Sequence, residues 1–442
     1  MTLEQQRARI ENIDAAEKTN RQYLRRIRIR DYLAGQAIYN LGNYPVRISA
    51  EPTEYDRALI QKLASSGVGM IQLHEDWNDP LRMYGADKFS AVDPRGMKNF
   101  VELCHDHGIK VIAYASTGYF QATDPDYQRA FSKYEDCWHF NCYAYVKGNH
   151  GSAPWRDYVI PRSLEAMDYY GFDGLFNDWG YDKWGYDPVL QNCILPEGYY
   201  DPQVEDMLCQ IYSEIKRRGG IYKLHCDRNN APPCKERVYD YLWIGEWVEN
   251  SPVGVGKSYQ PYVVPCLDRH RTLAQDQETH FAYTIPFLQF PLLKTGRPIM
   301  GDNGNVPNVT YYGGEEQEFY RKVGEYMKEH PNGPYVYSLW SSIPDDPDEH
   351  DIWAKYYALY SSMVTENSLA YIEIRDCGEI LSQLPQAVYA SMFVNEKTYL
   401  VVSNLTEKPY TLTLKGKWQD RVTGSISDTF VIPKERLLFL VK

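Results

Sequence analysis

Residues 171–180 read Gly-Phe-Asp-Gly-Leu-Phe-Asn-Asp-Trp-Gly, and the fold can be argued outward from them. Phe172–Phe176 is a short, mostly apolar run, preceded by the helix-like stretch Trp155–Tyr170 and followed by Asn177, Asp178 and Trp179. A helix that returns the chain to a short buried strand, with polar side chains just past the strand's end, is one unit of a parallel strand–helix repeat. The same rhythm places strands upstream at Tyr32–Tyr39, Val68–His74 and Ile109–Ala115, with helices Glu54–Ser65 and Pro94–His107 between them. Pro94 at the start of its helix and Gly108 just past its end obey the helix start and stop rules. Ile109–Ala115 is almost wholly apolar, the composition of a parallel strand buried on both faces. Downstream, the helix Gln203–Arg218 is followed by strands at Gly220–Cys226 and Tyr239–Gly245, then by Tyr262–Leu267 as the seventh and Arg297–Gly301 as the eighth. Phe281–Leu293 fits either helix or strand, and His350–Val364 reads as a closing helix. The fold class expected is therefore α/β, a (β/α)8 TIM barrel followed by a small all-β C-terminal domain.

The chain ends read differently. Residues 1–31 carry charges at helical spacing, with Ile10, Ile13 and Leu24 as sparse apolar contacts, and predict an N-terminal helix. The barrel is expected over 32–375. An antiparallel β-domain is expected over 376–442, where Ala387–Phe393, Thr398–Asn404, Tyr410–Leu414 and Leu437–Val441 alternate with turn residues.

A chain of 442 residues exceeds a minimal barrel of about 250 residues, which leaves room for long loops and the second domain. Its net charge of -12 would repel a phosphate backbone, so nucleic acid is not an expected partner. The short run Arg25–Arg30 reads as a solvated face or as structural ion pairs. No apolar run is long enough to span a bilayer, so no membrane partner is expected either. The charged start of the chain lacks a signal-peptide core and the nine cysteines lack paired spacing, so a cytoplasmic protein is expected, or a periplasmic or secreted one if a signal peptide has been removed. With 39 Tyr and 10 Trp the chain is rich in rings that carry a polar tip, which suit a wet cleft for a carbohydrate as well as a core.

Barrel active sites are built at the C-terminal ends of the strands. Cleaving a glycosidic bond there requires two flanking carboxyl groups, one to protonate the departing oxygen and one to attack or to activate water. Asp178 lies just past the fourth strand between an amide and an indole, and Glu246 in Trp243-Ile-Gly-Glu-Trp247 holds the matching place past the sixth. These two are the expected catalytic residues, with Asp227 as a substitute for Glu246. Glu75, Asp76, Trp77, Asn177, Trp179, His225, Asp227, Arg228, Trp247 and Asp302 are the expected substrate-binding residues. A carboxylate at such a position can also serve as a helix N-cap, and Asp227 with Arg228 can be an ion pair. Cys104, His105 and His107 share one amphipathic helix, and His225 and Cys226 alternate across a strand. No metal site is expected and no cofactor.

The order of strand, helix and Gly171-Phe-Asp-Gly-Leu-Phe-Asn-Asp178-Trp, an acid two strands later and a terminal β-domain resembles the retaining α-glycosidases of the α-galactosidase and α-amylase-like superfamily. The likeness spans roughly residues 32–442 and rests on architecture and one motif. It implies a glycoside hydrolase in which Asp178 is the nucleophile and Glu246 the proton donor. Two departures stand out: the donor is Glu where the α-galactosidase branch has Asp, and the Arg found two residues before the nucleophile in α-amylases is here Phe176. The function expected is hydrolysis of an oligo- or polysaccharide or a glycoconjugate, with retention. An inverting glycosidase on the same barrel and a non-catalytic carbohydrate-binding barrel are the alternatives.

Overall fold

In the computed structural model, residues 2–42, 49–74, 77–135, 137–140, 143–178, 200–226, 232–244, 262–265, 277–297 and 347–442 are described. The chain opens with helix α1 (Leu3–Thr19), started by a capping box between Thr2 and Gln5. It then runs straight into strand β1 (Asn20–Arg28). The expectation of one helix up to residue 31 is therefore corrected at Asn20. From there burial alternates along the chain, and Tyr23 and Ile27 pair in register with Ile374 and Ala370 of the C-terminal sheet. Two-residue alternation against a partner strand outweighs the helical spacing of the charges. The basic run sits on this outer strand, where Arg21 pairs with Asp376 at 3.0 Å and Arg26 with Glu17.

The parallel units come next in chain order: β2 (Gln36–Asn40), α2 (Glu54–Ser65), β3 (Met70–Leu73), α3 (Pro94–Asp106) and β4 (Lys110–Tyr114). An excursion then forms a small sheet of β5 (Tyr119–Gln121), β6 (Trp138–Phe140) and β7 (Tyr143–Lys147), which strand patterning did not reveal because the strands are three to five residues long. The repeat resumes with α4 (Ala153–Tyr170), β8 (Gly174–Asn177), α5 (Pro202–Arg217), β9 (Ile221–Cys226), β10 (Tyr241–Ile244), β11 (Val263–Pro265), α6 (Gln277–Thr284) and β12 (Leu293–Gly296). The eighth barrel strand is thus Leu293–Gly296 and not Arg297–Gly301. Arg297 lies just beyond it, and 298–301 lie outside the described residues.

The eight parallel strands run in the order β11-β10-β9-β8-β4-β3-β2-β12. The two ends meet where the Leu292 N–H donates to the Pro265 carbonyl at 2.7 Å. Side chains confirm the closure. Lys223 on β9 donates to Gln36 on β2 at 3.1 Å, and these strands are four places apart in a sheet of eight, which only a curled sheet allows.

The closing helix α7 (Pro347–Ser361) leads into β13 (Leu369–Cys377), β14 (Val388–Val394), β15 (Thr398–Asn404), β16 (Tyr410–Asp420), β17 (Ile426–Ile432) and β18 (Arg436–Val441). With β1 they form one antiparallel sheet, whose first strand in this region begins at Leu369, before position 376. Its barrel-facing side packs Phe393 on Tyr360 and Phe439 on Tyr356. Much of the aromatic excess is spent this way. Phe281 stacks on Tyr356, Trp353 on Tyr357 and Tyr32 on Tyr262, all in the packing between layers.

The motif's second glycine has a steric reason. A Cβ on Gly174 would stand 1.9 Å from the Ile221 carbonyl oxygen on β9, and backbone cannot swing aside as a side chain can. Gly174→Ala is expected to lower stability by on the order of 3 kcal/mol, read from the urea midpoint. A midpoint equal to that of the parent chain would show that β8 and β9 are not spaced as described.

Candidate active site

Parallel register fixes which side chains face the barrel axis. Gln36, Ile38 and Asn40 alternate on β2, and Ile38 is level with Gln72 and with Lys294. Two residues on from Gln72, His74 faces the same way, as do Tyr114 on β4, Phe176 on β8 and Trp243 on β10. The rings meet there: His74 lies 5.7 Å from Tyr114, 5.9 Å from Phe176 and 6.3 Å from Trp243. An aromatic floor therefore closes the barrel beneath the ends of its strands.

Asp178 stands on this floor. It is two residues beyond Phe176 and hence on the same inward face, and its side chain is 14% exposed. Tyr114 donates its hydroxyl to Asp178 Oδ2 at 3.0 Å and is itself hydrogen-bonded to Tyr119. Oδ1 has no aligned hydrogen-bond donor; what faces it, at 2.6 Å, is Nδ1 of His225. The register of β8 on β9, Phe176 with Lys223 and Asn177 with Leu224, makes Asp178 and His225 the next level pair. The His225 ring is 4% exposed and lies 4.5 Å from the Trp243 indole.

His74 is buried, and burial pushes its imidazole down to about 4, with Asp178 opposing and His225, Lys223 and Lys294 reinforcing the shift. Its Nε2 has no hydrogen-bond partner among the described residues. It is thus a neutral ring at neutral pH. Because the folded value lies below the unfolded value of about 6.5, the unfolded chain binds the extra proton between those two pH values, and stability falls as pH is lowered through that window. His74→Phe is expected to remove up to about 3 kcal/mol of the acid sensitivity between pH 6.5 and 4, measured by thermal melts across pH. An unaltered acid limb would show that His74 is not the buried neutral group responsible.

The other expected site residues divide in three. Asn177 does not face the barrel axis: it accepts from the Thr117 N–H at 3.0 Å and gives its amide protons to the Thr117 and Tyr222 hydroxyls, so it ties the strand ends together on the helix side. Trp77 is likewise 4% exposed, donates to the Tyr114 carbonyl at 2.9 Å and meets Tyr170 and Phe172 edge-on, which makes it a packing residue behind β4. Glu75, Asp76, Trp179, Asp227, Arg228, Glu246, Trp247 and Asp302 lie outside the described residues. His74 and Tyr114 are the neighbours of Asp178 that motif reading did not single out. Counting by twos inward from each strand end, rather than taking only the residues past that end, would have found His74 and Tyr114. Cys104 is fully buried on α3, and His105 pairs with Asp173 at 2.8 Å, so this Cys/His run serves packing and a surface pair. No group of three metal-binding side chains occurs among the described residues.

An eight-stranded closed parallel sheet, an excursion after the third barrel strand and a C-terminal antiparallel sheet together decide the comparison. The chain has the fold of the α-amylase-type barrels. It is similar to a noncanonic maltogenic α-amylase from Thermotoga neapolitana, at 13% identity over 93% of this chain and 99% of that one, with a TM-score of 0.54. It is similar also to a trehalose-6-phosphate hydrolase from Bacillus licheniformis, at 11% identity over 93% and 99%, TM-score 0.54. An α-glucosyl transfer enzyme, XgtA, aligns over 95% and 100% at 10% identity, TM-score 0.59. No protein-family model matches the chain, and no curated protein matches its sequence. No helix among the described residues of this α-amylase-type barrel is long and apolar enough to cross a membrane.

Proposed function

We propose that the protein is a retaining α-glycosidase in which Asp178 is the nucleophile. The observation that carries this reading is the setting of Asp178: an inward-facing, partly exposed carboxylate at the end of the fourth barrel strand, on an aromatic floor, with Tyr114 and His225 against its two oxygens. The alignment with glycosidases and a glucosyl transfer enzyme of the same fold supports it. An Asx N-cap, the structural use of such a residue, would point its oxygens at backbone N–H groups; these oxygens point to a phenol and an imidazole.

In the mechanism, an Asp178 oxygen attacks the anomeric carbon while the bond to the departing oxygen breaks, and that oxygen takes a proton from Glu246. Glu246 then takes a proton from water, the water oxygen attacks the same carbon, and Asp178 is released with the configuration retained. For Glu246 to hold its proton near neutrality its pKa must be raised by burial or by Asp178, and Trp247, next to it in the sequence, is assigned as the apolar wall. Asp227 is the substitute donor. Glu75, Asp76, Trp179, Arg228 and Asp302 come just after strand ends in the sequence and are assigned to substrate hydroxyls and sugar faces, and the carbohydrate is the one partner the reading requires.

The test is a panel of nitrophenyl glycosides and natural oligosaccharides, with proton NMR following the anomer first released. Hydrolysis of an α-glycoside to the α-anomer is expected. First release of the β-anomer would mean inversion, and tight binding of an oligosaccharide without hydrolysis would mean a binding protein.

A further inference from the structure

Few groups are placed to hold the Asp178 carboxylate. Phe176, two residues before Asp178 on the same inward face, is fully buried and brings no charge or donor to it. Lys223, a cation beneath the site, is turned across the barrel to Gln36 Oε1 at 3.1 Å. Among the described residues, two side chains therefore approach the Asp178 oxygens: the Tyr114 hydroxyl at Oδ2 and the His225 imidazole at Oδ1, through Nδ1 and not Nε2. The imidazole has little freedom to leave. It is buried on β9, flanked by the Trp243 indole and level with Asp178 in the sheet register. A carboxylate that must approach an anomeric carbon in line is sensitive to rotation about its side-chain bonds, and a misplacement of 1 Å can cost about 100-fold in rate.

We infer that His225 is a positioning residue, not a substrate-binding one: its Nδ1, which faces Asp178 Oδ1 at 2.6 Å, turns its N–H onto that oxygen in the working site, so that, with Tyr114 on Oδ2, the carboxylate plane is fixed before the sugar arrives. This inference rests on the assignment of Asp178 as nucleophile. It also specifies which ring nitrogen carries the proton, since a tautomer protonated only at Nε2 would set a lone pair against Oδ1.

Amide replacements separate the two nitrogens, because an Asn amide nitrogen occupies nearly the place of Nδ1 and a Gln amide nitrogen nearly that of Nε2. His225→Asn is expected to keep kcat within about 10-fold of the parent on the fastest nitrophenyl α-glycoside. His225→Gln and His225→Phe are expected to lose about 100-fold in kcat with KM changed less than about threefold. Loss in Asn equal to that in Gln, or parental kcat in Gln or Phe, would overturn the inference. A second measurement needs no variant: ¹⁵N NMR of the imidazoles in the intact protein should show His225 protonated at Nδ1, and protonation at Nε2 alone would overturn it. Asp178→Asn is assayed alongside. If that variant is active, the nucleophile assignment itself fails; if it is inactive while His225→Phe is not, only the positioning role fails.

Discussion

Replacing Asp178 by Asn is expected to lower kcat by roughly 10⁴-fold on any substrate the protein hydrolyses, while the melting temperature stays within a few degrees of the parent. The size of the effect comes from the group removed. An amide cannot form the glycosyl ester, so the two-step path is lost and only attack by water remains, assisted by the rest of the site. The small effect on stability comes from the surroundings: the side chain is 14% exposed, and Asn can still accept from the Tyr114 hydroxyl. Kinetics on the best nitrophenyl α-glycoside, with calorimetry on the same samples, checks both parts. An Asp178→Asn variant with a few per cent of parental kcat would remove Asp178 from the chemistry.

The second large effect is on folding and lies apart from Asp178 in role, though it holds the same barrel. Asp56, at the start of α2, is wholly buried and receives Arg297 twice, Nε at 3.0 Å and Nη2 at 2.9 Å, and the Tyr39 hydroxyl from β2 at 2.5 Å. Burial pushes this carboxyl up, but the bonds and charge of Arg297 and the Tyr39 hydroxyl outweigh it and leave its pKa below the usual carboxylate range. The remaining Arg297 protons go to the carbonyls of Leu41, Ser49 and Glu51. The last strand is thereby clamped to the first strand–helix unit, at the seam where β12 lies beside β2.

Asp56→Ala is expected to cost about 3–5 kcal/mol, because it leaves a buried guanidinium without its counter-charge. Urea denaturation measures it. A loss under about 1 kcal/mol would show that the seam does not depend on this pair. Exchanging both partners, Asp56→Leu with Arg297→Met, should recover much of the loss, since the cost is one of stranded charge rather than of lost attraction. Because the folded carboxyl is depressed, its contribution is present above the unfolded value of about 3.9 and is lost as pH falls through the folded one.

Much of this architecture is legible in the sequence because buried parallel strands are short apolar runs and their helices are amphipathic. Glu54–Ser65 and Thr398–Asn404 form over the spans that periodicity assigns them. The departures have physical causes. Asn20–Arg28 carries a charge pattern that suits a helix, but its pairing partner lies some 350 residues away, and long-range register is invisible to a local window. Leu293–Gly296 is only four residues long, and the two residues before it, Pro291 and Leu292, extend the apolar run that begins near Phe281, so its start is blurred. Arg297, the first residue of the span expected to be the eighth strand, follows the observed strand and bonds Asp56 instead.

Of the candidate site, the sequence singles out Asp178 but not the neighbouring His74 and Tyr114. Asp178 stands out because it comes directly after an apolar strand inside a glycine-framed motif. Asn177, equally conspicuous in the sequence, turns to the helix side, since successive positions of a strand take opposite faces, and Trp77 packs against Tyr170 and Phe172. His225, expected to touch substrate, sits against Asp178, and Tyr114 was hidden because a tyrosine within an apolar strand reads as core.

Whether a sugar becomes covalently bound to Asp178 decides the mechanism. Incubation with a panel of 5-fluoro-α-glycosyl fluorides, with digestion and peptide mass spectrometry afterwards, measures this directly. The expected result is one glycosyl adduct, on Asp178 in the peptide that contains Phe176 and Asn177. An adduct on another carboxylate, or continued hydrolysis of those fluorides with no adduct at any time, would contradict it.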